Sequence, residues 1–591
     1  MSGAPATGLP TSIDLADAGV IHFDGLTAEE GVGNAVSGAG DINNDGYDDI
    51  VIGAPGSDVS GDNAGAAYVV LGYPALSSRV LAELGSSGFR VDGAAADDAT
   101  GSSVAGAGDV NNDGYDDVII GAPGTDPRGN NEGSAYVLFG STSPGPVDLA
   151  TPSADWIRID GAHTDDHVGI RVAGAGDVNN DGYDDVVVGS AFLSPNGPAS
   201  GGAYVVYGSA HPVTVDLASP HTWGFEIEGG AAVDFAGAVA GAGDVNNDGF
   251  GDVVVGARGV DANGDGAGAS YVIYGRGDGH TIDLGALAVT DGFRIDGAAA
   301  SDNCGYAVAG AGDLNADGYD DVIVSSHNAS PDALSKAGSA QVVYGAVGRT
   351  VVDLSDPGPA AVRLDGAAAG DMTGWSVAGI GDVNRDQRPD VLIGAPWADP
   401  SGQLRAGSTY VVLGDLATPQ LDLASLGAAG VRIDGAAAGD ESGTSVAGAG
   451  DINGDGSGDV LIGAPLADPG GRFDAGQAYL VLGDPTPPEP GPPPATPAAT
   501  LKVTARSAKK TVPRTGKASL VRRVRVGSGQ KARITAGVTP AKTRKRATLK
   551  KTATTVRIRT KRAPRGKVKV VIRATGPGVT AVTWKRTWRI R

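Results

Sequence analysis

Cysteine is almost absent from this chain. Cys304 stands alone in 591 residues, so no intramolecular disulfide holds the fold, and the usual argument for an oxidising compartment is closed. Long apolar runs are missing as well: stretches such as VIIGAP and AYVVLG are too short for a membrane span, and no stretch has helical periodicity long enough to compete with strands. The opening MSGAPATGLPTS has neither a basic start nor an apolar h-region, so no signal peptide is read there. Hydrolase signatures of the GxSxG and HExxH kinds do not occur, and the seven histidines are scattered, which argues against an enzyme. The closest pair, His163 and His167 in HTDDH, reads as a solvated polar turn before it reads as a metal site.

Charge is missing selectively. Residues 501–591 contain no Asp or Glu but hold 29 of the 45 Lys and Arg, and Lys336 is the only lysine before Lys502. Residues 1–500 therefore set 16 basic against 69 acidic side chains, a net charge of −53, beside a tail of +29. Between them runs DPTPPEPGPPPATPAAT at 484–500, whose prolines favour an extended, semi-rigid spacer. The expected organisation is a flexible segment at 1–12, a repeat domain at 13–483, the linker at 484–500 and a basic β domain at 501–591.

What the chain has in abundance is one nine-residue string, DINNDGYDD at Asp41, which recurs from Asp109, Asp177, Asp244, Asp313, Asp382 and Asp451 at intervals of 67 to 69 residues. So regular a period marks units that bury their apolar faces against their neighbours. Each unit repeats four short β-like runs bounded by Gly, Asp or Pro; in the second these are SSVAGAGDV, DVIIGAP, SAYVLFG and WIRID. Seven four-stranded units predict an all-β, seven-bladed β-propeller. The last unit lacks a fourth strand and the N-terminus offers an orphan one, Val20–Asp24, so the ring is expected to close by pairing the two.

The string also has the oxygen spacing of a calcium loop. Side-chain oxygens at positions 1, 3, 5 and 9 and a backbone carbonyl at position 7 suit a hard cation that takes six to eight oxygens, and glycine at position 6 permits the turn. The expected ligands are Asp41, Asn43, Asp45, Tyr47 and Asp49; Asp109, Asn111, Asp113, Tyr115 and Asp117; Asp177, Asn179, Asp181, Tyr183 and Asp185; Asp244, Asn246, Asp248, Phe250 and Asp252; Asp313, Asn315, Asp317, Tyr319 and Asp321; Asp382, Asn384, Asp386, Arg388 and Asp390; and Asp451, Asn453, Asp455, Ser457 and Asp459. A set of solvated Asx turns is the plainer alternative. Position 12 is Ile52 or Ile120 where an EF-hand needs glutamate, and the loops carry neither Cys nor His for zinc. The sixth copy replaces the glycine by Gln387 and adds Arg385 and Arg388, so its Ca2+ site is expected to be the weakest of up to seven.

Taken together, SVAGAGDVNNDGYDDVIIGAP and its six relatives resemble FG-GAP repeats, the blades of the N-terminal propeller of integrin α chains, over residues from about 13 to 483. The resemblance implies that the calcium loops hang from one face and that ligands meet the opposite one. Departures are visible: FG becomes Val32 with Gly33, Thr100 with Gly101 and Cys304 with Gly305, while GAP becomes GSA, GAR and SSH in units three to five. No leg domain or membrane span is read after the repeats, so integrin signalling is not carried over. Loops following GAP, at 57–64, 125–132, 192–201 and 397–406, are the candidate ligand surface, with Phe192, Arg128, Trp397 and Arg405 as candidate anchors.

The tail alternates apolar and basic residues in VRRVRV, KVKVVIRA and VTWKRTWRIR, predicting a small β-sandwich-like domain with a basic exterior. Such a surface suits an anionic envelope polymer, or the acidic propeller itself; nucleic acid is the weaker choice because no stacking module accompanies the charge. The resulting expectation is a secreted or cell-surface, calcium-binding adhesion module with a protein or glycan ligand. The alternative is a non-catalytic accessory propeller of an extracellular hydrolase system.

Overall fold

A computed structural model describes residues 12–483 with their side chains, apart from 18, 220–222, 415 and 417; beyond 483 it describes only the backbone of strands lying between 504 and 590. The linker at 484–500, and the N-terminal segment up to residue 11, lie outside the described residues. The chain divides into two compact units, Met1–Pro488 and Glu489–Arg591.

The first unit is seven sheets, each built on four antiparallel strands. In blade 1 the strands are Val36–Gly40, Asp49–Ala54, Ala66–Val70 and Gly88–Asp92, and the acidic loop joins the first two as a hairpin with a bulge between Gly38 and Gly40. The first strands of successive blades, Ser103–Gly108, Arg171–Gly176, Ala236–Gly243, Val308–Gly312, Ser376–Gly379 and Ser445–Gly450, touch one another in turn, and the last touches Val36–Gly40. They form a closed ring about the axis. This is the seven-bladed propeller expected from the repeat.

Closure comes from the N-terminus, as the orphan strand implied. Ile21–Asp24 pairs antiparallel with Gln477–Val481, setting Ile21 opposite Leu480 and Asp24 opposite Gln477. The ring is also closed a second time. Ser12–Asp14 pairs in parallel with the outer strand of blade 6, with Ser12 opposite Arg432. Each sheet is in fact five-stranded: the connection between the third and fourth strands of each blade pairs with the outer strand of the blade before, as Val147–Asp148 does with Val91 and Asp92. The sequence reading gave four strands per blade because a two-residue strand carries no readable alternation.

The core lies between blades. In Asp49–Ala54 every residue is buried although side chains alternate, because each face has its own neighbour. Ile50 and Ile52 pack with Phe23, Leu461 and Leu480 of blade 7, while Val51 packs with Val118, Ile120 and Tyr136 of blade 2. A strand covered on both sides reads as the continuous apolar run seen in DIVIGA and its relatives. The two motif glycines meet at the same seam: a Cβ on Gly53 would stand 2.0 Å from the carbonyl oxygen of Gly101, and one on Gly121 would stand 1.9 Å from that of Gly169. Glycine in GAP thus exists to admit the neighbouring blade's FG turn.

In the second unit, Arg533–Thr539, Gly566–Gly576 and Val579–Ile590 form one antiparallel run, and Gly516–Val521, Thr555–Thr560 and Ala547–Thr552 another. The expected sandwich packing and basic exterior concern side chains outside the described residues.

Candidate functional site

All seven acidic loops leave the first strand of their blade at its C-terminal end, so they gather on one face of the ring. Within a loop the chain turns through left-handed conformations at positions 4 and 6, Asn44 at φ 54° and Gly46 at φ 91° in the first copy. Asp41 shapes the turn: its Oδ1 accepts from the Asp45 N–H at 3.0 Å and its Oδ2 from the Gly46 N–H at 2.8 Å, while Asp45 accepts from the Tyr47 N–H. These bonds leave further lone pairs on each carboxylate.

The position 9 aspartates, Asp49, Asp117, Asp185, Asp252, Asp321, Asp390 and Asp459, are fully buried. Each joins the loop to the end of its blade's third strand. Asp49 accepts from the Ile42 N–H at 3.0 Å and the Gly72 N–H at 2.7 Å, and Asp117 does the same with Val110 and Gly140. Burial raises these carboxyls to a pKa of about 7, against their backbone hydrogen bonds and with help from the carboxylates at positions 5 and 1. The sequence reading gave position 9 only a metal; the structure gives it a second task inside the fold.

Among the described residues, no three acidic, histidine or cysteine side chains converge as a formed metal centre. The loops nevertheless fit a hard cation. Asn43, Asn179, Asn246 and Asn315, all at position 3, hold a buried Oδ1 with no hydrogen-bond partner, which is costly unless something supplies one. In the second, sixth and seventh copies that oxygen instead accepts from the position 5 N–H. An all-oxygen set of orphaned amide and crowded carboxylates is the donor chemistry of calcium.

Two contacts between loops were not foreseen. The position 8 aspartate of one loop accepts from the position 1 N–H of the blade before: Asp116 to Asp41 at 2.8 Å, Asp184 to Asp109 at 2.9 Å, Asp320 to Asp244 at 2.8 Å, and across the closure Asp48 to Asp451 at 2.6 Å. At position 4 the amides of Asn44, Asn112 and Asn247 donate to the glycine carbonyl of the next loop. The doubled aspartate in DGYDD was the available signal. Asp116→Ala is expected to cost about 1 kcal/mol by stranding the half-buried Asp41 N–H, read as a lower denaturant midpoint.

The sixth loop is corrected in one respect. Gln387 does take the left-handed conformation, at φ 70°. Arg385, however, does not stand over its own loop. It reaches the seventh, bonding the Gly456 and Asp455 carbonyls and standing 3.7 Å from the Asp455 carboxylate, while Arg388 reaches back to the Leu314 carbonyl. The longer arginine follows the path that asparagine takes at position 4 elsewhere. Its repulsion therefore falls on the seventh site, and Arg385→Asn is expected to tighten calcium there severalfold in a calorimetric titration.

The opposite face, at the N-terminal ends of the first strands, carries an aromatic row. Tyr306 and His327 have ring centroids 4.0 Å apart, Tyr306 and Trp375 5.1 Å, and Trp375 stacks on Trp397 at 6.1 Å with Arg405 4.4 Å over its ring. Burial lowers the His327 pKa to about 4, with Arg258 and Lys336 adding repulsion, so it is neutral at pH 7. Phe192 is 42% exposed and meets the His167 ring edge-on at 5.3 Å. His163 and His167 are not joined: the first stands 3.3 Å from Asp166, the second contacts the Pro123 carbonyl. Arg128, a candidate anchor, is tied to Asp216, Glu132 and the Gly161 carbonyl and acts as a clamp between blades.

Fold and loops together define a seven-bladed propeller with one acidic loop per blade. Five of its blades match the family described as FG-GAP repeat, at residues 32–70, 100–138, 235–273, 373–412 and 442–481; blades 3 and 5, with GSA and SSH in place of GAP, lie outside those segments but keep the same pairing. The chain is similar to integrin alpha pat-2 of Caenorhabditis elegans, 31% identical over 236 residues, covering 37% of this chain and 17% of that protein. It is also similar to integrin alpha-6 of Gallus gallus, 35% over 169 residues, covering 28% and 14%. A third is integrin alpha-PS2 of Drosophila melanogaster, 35% over 145 residues, covering 21% and 10%. The chain thus spans less than a fifth of the length of these relatives. The propeller carries FG-GAP repeats and resembles the integrin alpha propeller.

Proposed function

We propose that this protein is an extracellular, calcium-stabilised binding module whose ligand meets the face opposite the acidic loops. The observation that carries the reading is the aromatic row on that face, where Trp375, Trp397 and Arg405 of blade 6 lie together and Trp375 continues the row onto Tyr306 and His327 of blade 5. Tryptophan and arginine are the side chains most often found at the energetic centre of an interface. The likeness to integrin alpha chains supports adhesion as the class of activity. Calcium in the loops fixes the blades that present this face, the position 1, 3, 5 and 9 side chains and the position 7 carbonyl being its ligands. Affinities of about 10⁻⁴ to 10⁻³ M, ordinary for extracellular modules, place such sites where free calcium is plentiful. The basic tail serves attachment to an anionic envelope polymer.

The test is capture of the full chain on protein and glycan arrays with calcium and with chelator, beside a Trp397→Ala, Arg405→Ala variant. Calcium-dependent capture that drops at least tenfold in the variant is expected. Capture indifferent to both calcium and the variant would remove the reading.

A further inference from the structure

The mouth of the central channel, on the same face, is a cavity of about 380 Å³ to which the first strands of all seven blades contribute. Its lining contains no carboxylate and one charged side chain, Arg171, although residues 1–500 carry 69 acidic side chains. The rest of the lining is mostly Val and Ala, with aromatic rings at Tyr306 and Trp375, the Asn34 amide, and hydroxyls that include Ser102, Ser376 and Thr444. Arginines on the fourth strands, such as Arg294 and Arg432, pair with an aspartate two residues on. Among the described residues Arg171 pairs with none and donates only to its neighbour's carbonyl, that of Ile170 at 3.0 Å.

A second cation deepens the same field. Arg258 also lacks an ion pair among the described residues and lies over the Phe235 ring at 4.9 Å. The Tyr306 phenol and the Arg258 guanidinium both lie near enough to act on the Arg171 charge, the phenol favouring it and Arg258 opposing it. Water still reaches Arg171 through the mouth. An unpaired guanidinium held in a recess walled by protein has a field focused on whatever enters.

We propose that this channel mouth binds a carboxylate-bearing saccharide, a sugar acid of the hexuronate kind, with Arg171 holding the carboxylate and Tyr306 and Trp375 lying against the ring. The guanidinium fork matches a carboxylate bidentately. Apolar ring faces suit the aromatic walls, and the Ser102, Ser376 and Thr444 hydroxyls suit a polyhydroxylated rim, in the usual pattern of a mostly apolar pocket with a few convergent polar groups. One lining cation suits one carboxylate better than a phosphate dianion. This inference rests on the reading of the face as the ligand face and specifies its chemistry.

The experiment is calorimetric titration of the full chain in calcium with trigalacturonate, its neutral trigalactose counterpart and a peptide ending in a free carboxylate. The acidic sugar is expected to bind at least tenfold more tightly than the neutral one, and Arg171→Gln to lose about tenfold to a hundredfold with an unchanged thermal midpoint. Arg258→Gln is expected to weaken binding less and to reduce its salt dependence. Equal binding of neutral and acidic sugars, undiminished binding by Arg171→Gln, or preference for the peptide would each overturn the inference. If no saccharide binds while the Trp397→Ala, Arg405→Ala variant still loses array capture, the inference fails and the ligand-face reading stands.

Discussion

Addition of a chelator at pH 7.5 lowers the thermal midpoint of the propeller by on the order of 10 °C. At a free calcium about ten times the dissociation constant each site adds roughly 1.4 kcal/mol, so several occupied sites add about 10 kcal/mol. Unfolding entropy scales with length, and for a ring of this size a kcal/mol moves the midpoint by about one degree. The unpartnered oxygens of Asn43, Asn179, Asn246 and Asn315, with the buried position 9 carboxylates behind them, are what a bound cation would satisfy. pH supplies a sign. The position 9 carboxyls have folded pKa values of about 7, above the ordinary 3.8, so the metal-free fold binds protons that the unfolded chain does not. Metal-free stability therefore rises as pH falls from about 7 toward 4, while calcium affinity falls over the same window because the cation must displace those protons.

The second large effect lies at the ring closure. A chain lacking residues 1–24 leaves Gln477–Val481 as an open edge and removes the strand paired to Gly430–Asp434, so it is expected to aggregate on expression. A milder variant keeps the test informative where deletion abolishes folding. Phe23 is fully buried between blades 7 and 1, and Phe23→Ala should cost about 3–5 kcal/mol, seen as a lower denaturant midpoint with the monomer retained. A truncated chain that stays monomeric with a native midpoint would show that the ring needs no closing strand.

Much of this architecture was legible because repetition multiplies weak signals. One acidic loop could be any Asx turn; seven at intervals of 67 to 69 residues, four of them with DGYDD, fix blade count, hairpin position and one face for the loops. The orphan Val20–Asp24 announced closure because the last repeat lacked a fourth run. What escaped was whatever depends on the neighbour across a seam. The parallel strands Arg79–Val80 and Val147–Asp148 are two residues long, too short for a period. Asp116 and Asp184 looked like spare acids until the adjacent loop was in place. Arg385 was assigned to its own loop because sequence distance favoured it, whereas the left-handed turn at position 4 aims it, like Asn44, Asn112 and Asn247, at the next blade. The unpaired Arg171 is invisible in sequence for the same reason: a missing partner shows only when all seven blades stand around it.

Crystals of the full chain grown in calcium, with anomalous differences measured on the metal, test the central claim most directly. The account predicts peaks in the acidic loops, about 2.3 to 2.6 Å from the position 1, 3, 5 and 9 side-chain oxygens and the position 7 carbonyl, with the sixth and seventh loops weakest. Loops that stay empty at millimolar calcium, with the position 3 asparagines still unpartnered, would contradict it.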